Sequence, residues 1–265
     1  MADAPAFRAR YGPWALIAGA SEGLGAEFAT HLAARGLNLL LLARRAPLLH
    51  TLSAQLQSIY AVEVRTLPCD LAREDIGQVV GQAIGEIEVG LLVYNAAVSM
   101  IGPYLEISLQ DHLREIAVNC RAPMTLAYLL GQSMLTRGRG GILLMSSLGG
   151  AVGSALLVNY TATKAYNRLL AEGLWDELRA RGIDVLASCP AAVSTPGYLA
   201  SAPRGSMSSM SPHAVVSASL AALGRGPTII PGRGYRLAHM FMQRVLPRKS
   251  AITLMGRVVR RMYQH

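Results

Sequence analysis

The sequence predicts an α/β fold, a doubly wound, seven-stranded parallel sheet with helices on both faces. Three observations predict it. Apolar runs of strand length alternate with longer helical patterns, an order that needs crossover connections and a sheet covered on both sides. A glycine-rich turn leads straight from the first apolar run into a helical pattern. The 265 residues are 52% hydrophobic and 15% charged, enough apolar material for one large core and unlike a disordered chain.

The first strand is expected over Trp14 to Ala20, and the helix Leu24 to Arg35 closes on Gly36, a residue suited to a left-handed C-terminal cap. The second strand spans Leu37 to Ala43, the third Val62 to Leu67 and the fourth Val89 to Tyr94. Residues 107 to 137 carry a helical pattern several turns long, followed by the fifth strand, Gly141 to Ser146. A second long helix over 158 to 181 ends at Gly182, before the sixth strand, Ile183 to Ser188. Thr228 to Ile230 completes the sheet. Residues 201 to 211 mix Ser, Met, Gly and Pro as a mobile loop does, and the stretch Leu199 to Pro212, short of charge, has the character of a lid.

No run reaches the ~18 apolar residues of a membrane span, and no basic-then-apolar leader opens the chain, so a cytoplasmic location is expected. Cys69, Cys120 and Cys189 are odd in number and widely spaced, which suits buried thiols and gives no metal-ligand pattern. The net charge of +9 is uneven. Residues 185 to 265 hold nine Arg, one Lys and no acid, a charge of +10 that leaves −1 for residues 1 to 184.

The turn Ala18-Gly19-Ala20-Ser21-Glu22-Gly23-Leu24-Gly25 places Gly19, Gly23 and Gly25 between strand and helix. Glycines let a pyrophosphate approach the backbone, and the helix start offers unpaired N–H groups. A dinucleotide can dock there, or the turn is merely tight with Ser21 as an ordinary N-cap. At the end of the second strand, where an acid would pair with a ribose hydroxyl, stand Arg44 and Arg45. Arg44 suits a 2′-phosphate, which favours NADP(H) over NAD(H). Asp70, followed by Leu71, either bonds the adenine amino group or caps a helix.

Tyr160 and Lys164 lie four residues apart, on one face of a helix. A cation about 5 Å from a phenol, at an effective dielectric of ~20, contributes roughly 3 kcal/mol and brings its titration from near 10 to near 8. Such a phenol can give a proton to a carbonyl oxygen or take one from an alcohol. Ser147, at the tip of the fifth strand, can orient the same oxygen. Asn119, within the long helical pattern, can hold a bent turn and relay a proton through water to Lys164, or serve as a satisfied core amide.

Together these residues resemble the short-chain dehydrogenase/reductase family over roughly residues 10 to 232. Gly19-x-x-x-Gly23-x-Gly25, Asp70, the Asn95-Ala96 turn, Asn119, Ser147, Tyr160, Lys164 and the run Pro190 to Thr195 follow the family's order and spacing. The resemblance implies a Rossmann-type dinucleotide-binding and catalytic domain over residues 1 to 232, with the tetrad Asn119, Ser147, Tyr160 and Lys164. It implies Tyr160 as acid/base, Ser147 polarising the carbonyl, and Lys164 on the nicotinamide ribose. Ser21, the Leu24 backbone and Arg44 would hold phosphates, and Val193 and Thr195 the carboxamide. The opening Tyr11 to Ala15 is similar to the hydroxysteroid and long-chain ketoacyl reductase branch. Ala18, Ala97 and Ala191 depart from the family's Thr, Gly and Gly, and the missing Thr hydroxyl should cost the glycine loop one bond to the fourth strand, about 1 kcal/mol.

Residues 233 to 265 form a basic, amphipathic extension. Ile252, Met255, Val258, Val259 and Met262 share a helical face, and residues 235 to 246 are apolar around most of the wheel, as in a helix packed on both sides. The pair can cover the core, join subunits or lie on anionic lipid. No aromatic interleaving points to nucleic acid. The expected activity is NADP(H)-dependent hydride transfer on the carbonyl or alcohol of an apolar substrate, in a homodimer or homotetramer and without a metal. The alternative is a non-catalytic NADP(H)-binding regulator on the same fold.

Overall fold

The computed structural model describes residues 4–201 and 209–263. In chain order the elements are helix α1 (Ala4–Tyr11), strand β1 (Trp14–Ala18), α2 (Gly23–Ala33), β2 (Asn38–Ala43), α3 (Ala46–Ile59), β3 (Val64–Pro68), α4 (Ile76–Ile84) and β4 (Val89–Tyr94). Then come α5 (Leu109–Ile116), a π turn (Ala117–Arg121), α6 (Ala122–Arg137), β5 (Gly140–Met145), α7 (Val158–Leu178) and β6 (Ile183–Ser188). The chain closes with α8 (Pro196–Ser201), α9 (Pro212–Ala222), β7 (Thr228–Ile229), α10 (Arg233–Arg244) and α11 (Arg248–Tyr263).

All seven strands pair in parallel in the order β3-β2-β1-β4-β5-β6-β7, so the expected sheet is present. The order reverses between β1 and β4, and a crevice opens at the carboxyl ends of strands flanking such a switch. Successive side chains on a strand point to opposite faces. Ile17, Leu41 and Val93 therefore pack under α1, α2, α3 and α9, while Leu16, Leu42 and Leu92 pack under α4, α6 and α7. Each fully buried Leu in these layers contributes about 2 kcal/mol of apolar burial.

Several boundaries differ from expectation. β1 stops at Ala18 because Gly19 takes φ +83° and turns the chain. β2 and β3 begin one and two residues late, β5 runs one residue early, from Gly140 to Met145, and β7 ends at Ile229. The pattern over 107 to 137 is interrupted by the π turn, and 158 to 181 is α7 plus a 3₁₀ turn at Arg179–Arg181. Of the expected lid, 199–201 are helical, Met210 pairs with Val193, and 202–208 lie outside the described residues.

The C-terminal pair corrects one expectation and refines another. α11 buries Ala251, Gly256 and Val259 and docks with α10 on residues 148–155, where Gln243 and Arg248 both donate to the Ala151 carbonyl. Ile252, expected on the packed face, is exposed. α10 is not packed on both sides: Leu237 (61%), Phe241 (54%) and Val245 (62%) are solvent-exposed, because its single contact face is covered through Met242 and Leu246. Among the described residues, no helix is long and apolar enough to cross a membrane.

Candidate active site

The glycine turn is built for close approach. A Cβ on Gly25 would come within 1.9 Å of the Gly19 carbonyl oxygen, and one on Gly19 within 2.6 Å of the Ala96 nitrogen. Gly23 opens α2 against Thr195, so the turn and the segment after β6 face each other. Ser21 is not the N-cap. Glu22 holds that position, makes no side-chain cap bond, and no acid stands in the first turn of α2. The first N–H groups of α2 thus lack side-chain caps, a cradle that fits the pyrophosphate of a nicotinamide dinucleotide.

Three hydrogen bonds tie the glycine turn and the end of β1 to the residues after β4. Asn95 donates from Nδ2 to the Gly19 carbonyl at 3.0 Å, and the Asn95 and Ala96 N–H groups both donate to the Ala18 carbonyl at 2.9 Å. Ala97 and Ala191 do not take positive φ, which among described non-glycine residues belongs to Leu156.

At the end of β2 both arginines are exposed. Arg45 pairs with Glu22 at 2.6 Å and donates to Ser21 Oγ at 3.2 Å, and it therefore belongs to the loop although the sequence reading passed over it. Arg44 stands beside Asp70. The Asp70 carboxylate accepts from Ala72 N–H at 3.0 Å and pairs with Arg114 at 2.7 Å, and these bonds hold its pKa below the ordinary value against the opposing effect of burial. Asp70 does not cap a helix, since Asp75 holds the N-cap of α4; its bond to the Ala72 N–H closes a local turn. Leu71 is buried beneath it. Val193 is buried and Thr195 half-buried, with the Thr195 N–H donating back to the Val193 carbonyl at 2.7 Å.

Ser147 follows β5 and Tyr160 stands in the first turn of α7, so both reach the carboxyl edge of the sheet. Burial pushes the Tyr160 phenol up to about 12, and the Ser147 hydroxyl lies close enough to act against that rise. This corrects the expected lowering towards 8. Lys164 does not aim at the phenolic oxygen: its Nζ donates to the Met145 carbonyl at 2.9 Å and sits 5.6 Å from the Tyr160 ring centre. Lys164 is 3% exposed, and burial brings its ammonium down to about 8. Spacing placed the two groups near each other, but desolvation acts on both, raising the phenol and lowering the ammonium.

Asn119 lies at the middle of the π turn. Its amide donates to the Val98 carbonyl at 2.8 Å and to Thr163 Oγ1 at 3.0 Å, and accepts from the Val98 N–H at 2.8 Å. Both amide protons are thus spent, and the side chain makes no hydrogen bond to Lys164. The backbone groups that a π turn frees are met as well: Tyr94 donates to the Val118 carbonyl, and Asn167 to the Asn119 carbonyl at 2.9 Å.

Sequence reasoning missed Glu115, Asn159, Thr163, Asn167 and Tyr263. Glu115 is buried, accepts from Asn159 at 2.9 Å and has its pKa raised by burial. Its place one turn before Asn119, and Thr163 and Asn167 three and seven residues after Tyr160, were legible as polar residues on otherwise buried helix faces. Tyr263 bears on the titration of Tyr160 from the end of α11, which no local pattern signals.

The profile of the family described as short chain dehydrogenase matches residues 13–202. A very-long-chain 3-oxoacyl-CoA reductase of Phaeosphaeria nodorum is 31% identical over 256 residues, covering 92% of this chain and 74% of the relative. A 7beta-hydroxysteroid dehydrogenase of Clostridium sardiniense is 28% identical over 255 residues, covering 95% and 97%. The structure of a short-chain dehydrogenase from Sphingobium yanoikuyae in complex with NADPH superposes with a TM-score of 0.79 at 29% identity, over 89% of this chain and 97% of that one.

Proposed function

The chain belongs to the short-chain dehydrogenase family, as an oxidoreductase transferring hydride between a nicotinamide cofactor and a carbonyl/alcohol pair, and from that premise we propose how its residues divide the work. Gly19, Gly23 and Gly25 with the open start of α2 hold the pyrophosphate, and Ser21 and the Leu24 backbone assist. Arg44, exposed beside that turn, takes the 2′-phosphate, which selects NADP(H) over NAD(H). Asn95 fixes the loop, Asp70 and Leu71 border the adenine, and Val193 and Thr195 meet the carboxamide.

The bound nicotinamide supplies or receives the hydride. Ser147 holds the substrate oxygen, and Tyr160, whose phenol keeps its proton well above neutral pH, donates that proton as the oxygen gains charge. Lys164 keeps a positive charge beneath the phenol and against the ribose, stabilising the phenolate left behind. Asn119 ties the segment after β4 to α7 through Val98 and Thr163. The placement of Ser147 directly after β5 and of Tyr160 in the first turn of α7, both at the carboxyl edge of the sheet, is the observation that carries the reading.

The substrate is apolar, supported by a lid short of charge and by relatives named for a steroid and a very long acyl chain. Exposed Leu109, Leu113, Met124, Tyr128 and Leu169 on α5, α6 and α7 support a homodimer or homotetramer. The free thiols Cys69, Cys120 and Cys189 support a reducing, cytoplasmic location. The apolar face of α10, with Arg233, Arg236, Arg244, Arg248 and Lys249 around it and no acid after Asp184, supports peripheral contact with anionic lipid. The non-catalytic alternative gains nothing from the relatives. Loss of nicotinamide absorbance when NADPH meets a panel of apolar ketones tests the proposal; cofactor binding without turnover on every ketone would favour the regulator.

A further inference from the structure

Away from the site described above, three ligand atoms converge on one point between α2 and α9. Glu27 and His31 stand one turn apart on α2, and His213 lies in the first turn of α9, which packs across it. His31 Nε2 is 3.1 Å from Glu27 Oε1, His213 Nδ1 is 3.0 Å from the same oxygen, and the two nitrogens are 3.1 Å apart.

Neutral side chains cannot satisfy all three edges of this triangle with protons. Each ring nitrogen presents either one N–H or one lone pair, and the carboxylate presents lone pairs alone. With protons on both nitrogens, both bond to Glu27 but the two N–H groups confront each other. With one proton, the unprotonated nitrogen sets its lone pair against the carboxylate oxygen. A cation at the centre turns all three lone pairs towards positive charge.

We propose that Glu27, His31 and His213 form a site for a first-row divalent cation, with zinc the best match. Zinc bonds of about 2.0–2.1 Å in a tetrahedron set neighbouring ligand atoms roughly 3.3 Å apart, so the present triangle opens by only about 0.3 Å. Imidazole pairs select zinc over magnesium and calcium, which take oxygen ligands. Arg35, whose guanidinium donates to the His31 carbonyl at 2.7 Å, is the neighbouring positive charge that opposes the ion. The fourth position is left to water. The bound ion clamps α9 to the helix that begins at the glycine turn, without touching the reacting groups.

The test is zinc titration of the full, tag-free, chelator-stripped chain in competition with a chromophoric chelator, repeated with cobalt(II) for its visible ligand-field absorption. One ion per chain is expected. His213→Ala and Glu27→Gln should each weaken binding by at least about tenfold, the cost that even outer-shell changes reach at metal sites. Zinc should raise the melting temperature of the wild type and not of His213→Ala, an exposed position whose variant should keep wild-type ketone turnover in the absence of zinc. Zinc held equally tightly by His213→Ala, through Cys69, Cys120 or Cys189 for example, would overturn the assignment. So would a folded wild type that takes up no zinc at roughly 100 μM, a concentration at which even a site of ΔG about −6 kcal/mol is mostly filled.

Discussion

Lys164 Nζ lies 5.6 Å from the centre of the Tyr160 ring yet gives its hydrogen bond to the Met145 carbonyl at 2.9 Å. The cation therefore acts on the phenol through space, and burial depresses its own pKa.

That relationship fixes a pH dependence. With Lys164 brought down to about 8 and Tyr160 raised to about 12, the lysine loses its charge first as pH rises, while the phenol keeps its proton. kcat/KM for carbonyl reduction should fall with a single-proton limb as pH passes about 8, and the profile measured from roughly pH 6 to pH 10 checks it. A flat profile over that range would contradict the role of Lys164.

Arg44 is exposed at the tip of β2 and has its guanidinium free to turn towards a phosphate, whereas Arg45 is drawn into the pair with Glu22. Arg44→Asp should weaken NADPH by roughly 10- to 100-fold, the worth of one or two charge-assisted bonds, and leave NADH nearly unchanged. Equal losses in fluorescence titrations with the two cofactors would make the assignment wrong.

Asn119 spends its amide on three bonds across three segments. Asn119→Ala should cost about 3 kcal/mol at ~1 kcal/mol per bond, a fall in melting temperature of roughly 6–12 °C. A melting temperature within about 1 °C of wild type would show that the π turn does not depend on this side chain.

α10 presents Leu237, Met240, Phe241 and Val245 at helical spacing to solvent. Flotation with vesicles containing phosphatidylserine should recover the chain at low salt, less at high salt, and far less for the double variant Leu237→Glu, Phe241→Glu. Deleting the whole tail is a poorer test, because α11 packs on the segment that follows Ser147. Recovery unaffected by the double variant would point away from α10.

The strands were legible because parallel strands buried on both faces are continuous apolar runs, and the glycine turn and the Tyr160 to Lys164 spacing were legible because each is local. What escaped depends on three-dimensional surroundings. Spacing placed Lys164 near Tyr160 but carried no information on burial, so the direction of the phenol's shift came out wrong. Periodicity showed α10 to be apolar without showing that little packs against it. Arg45, Glu22 and Tyr263 matter through neighbours distant in sequence, and Glu115 went unread although it shares a helix face with Asn119.

The central claim is that Tyr160 carries the proton for a substrate oxygen held by Ser147. The most direct measurement is turnover of an apolar ketone with NADPH by Tyr160→Phe, alongside cofactor binding by the same variant. Turnover should drop by about 10²–10⁴-fold, the usual worth of a positioned acid, while NADPH affinity stays close to wild type. Wild-type turnover by Tyr160→Phe would contradict the account.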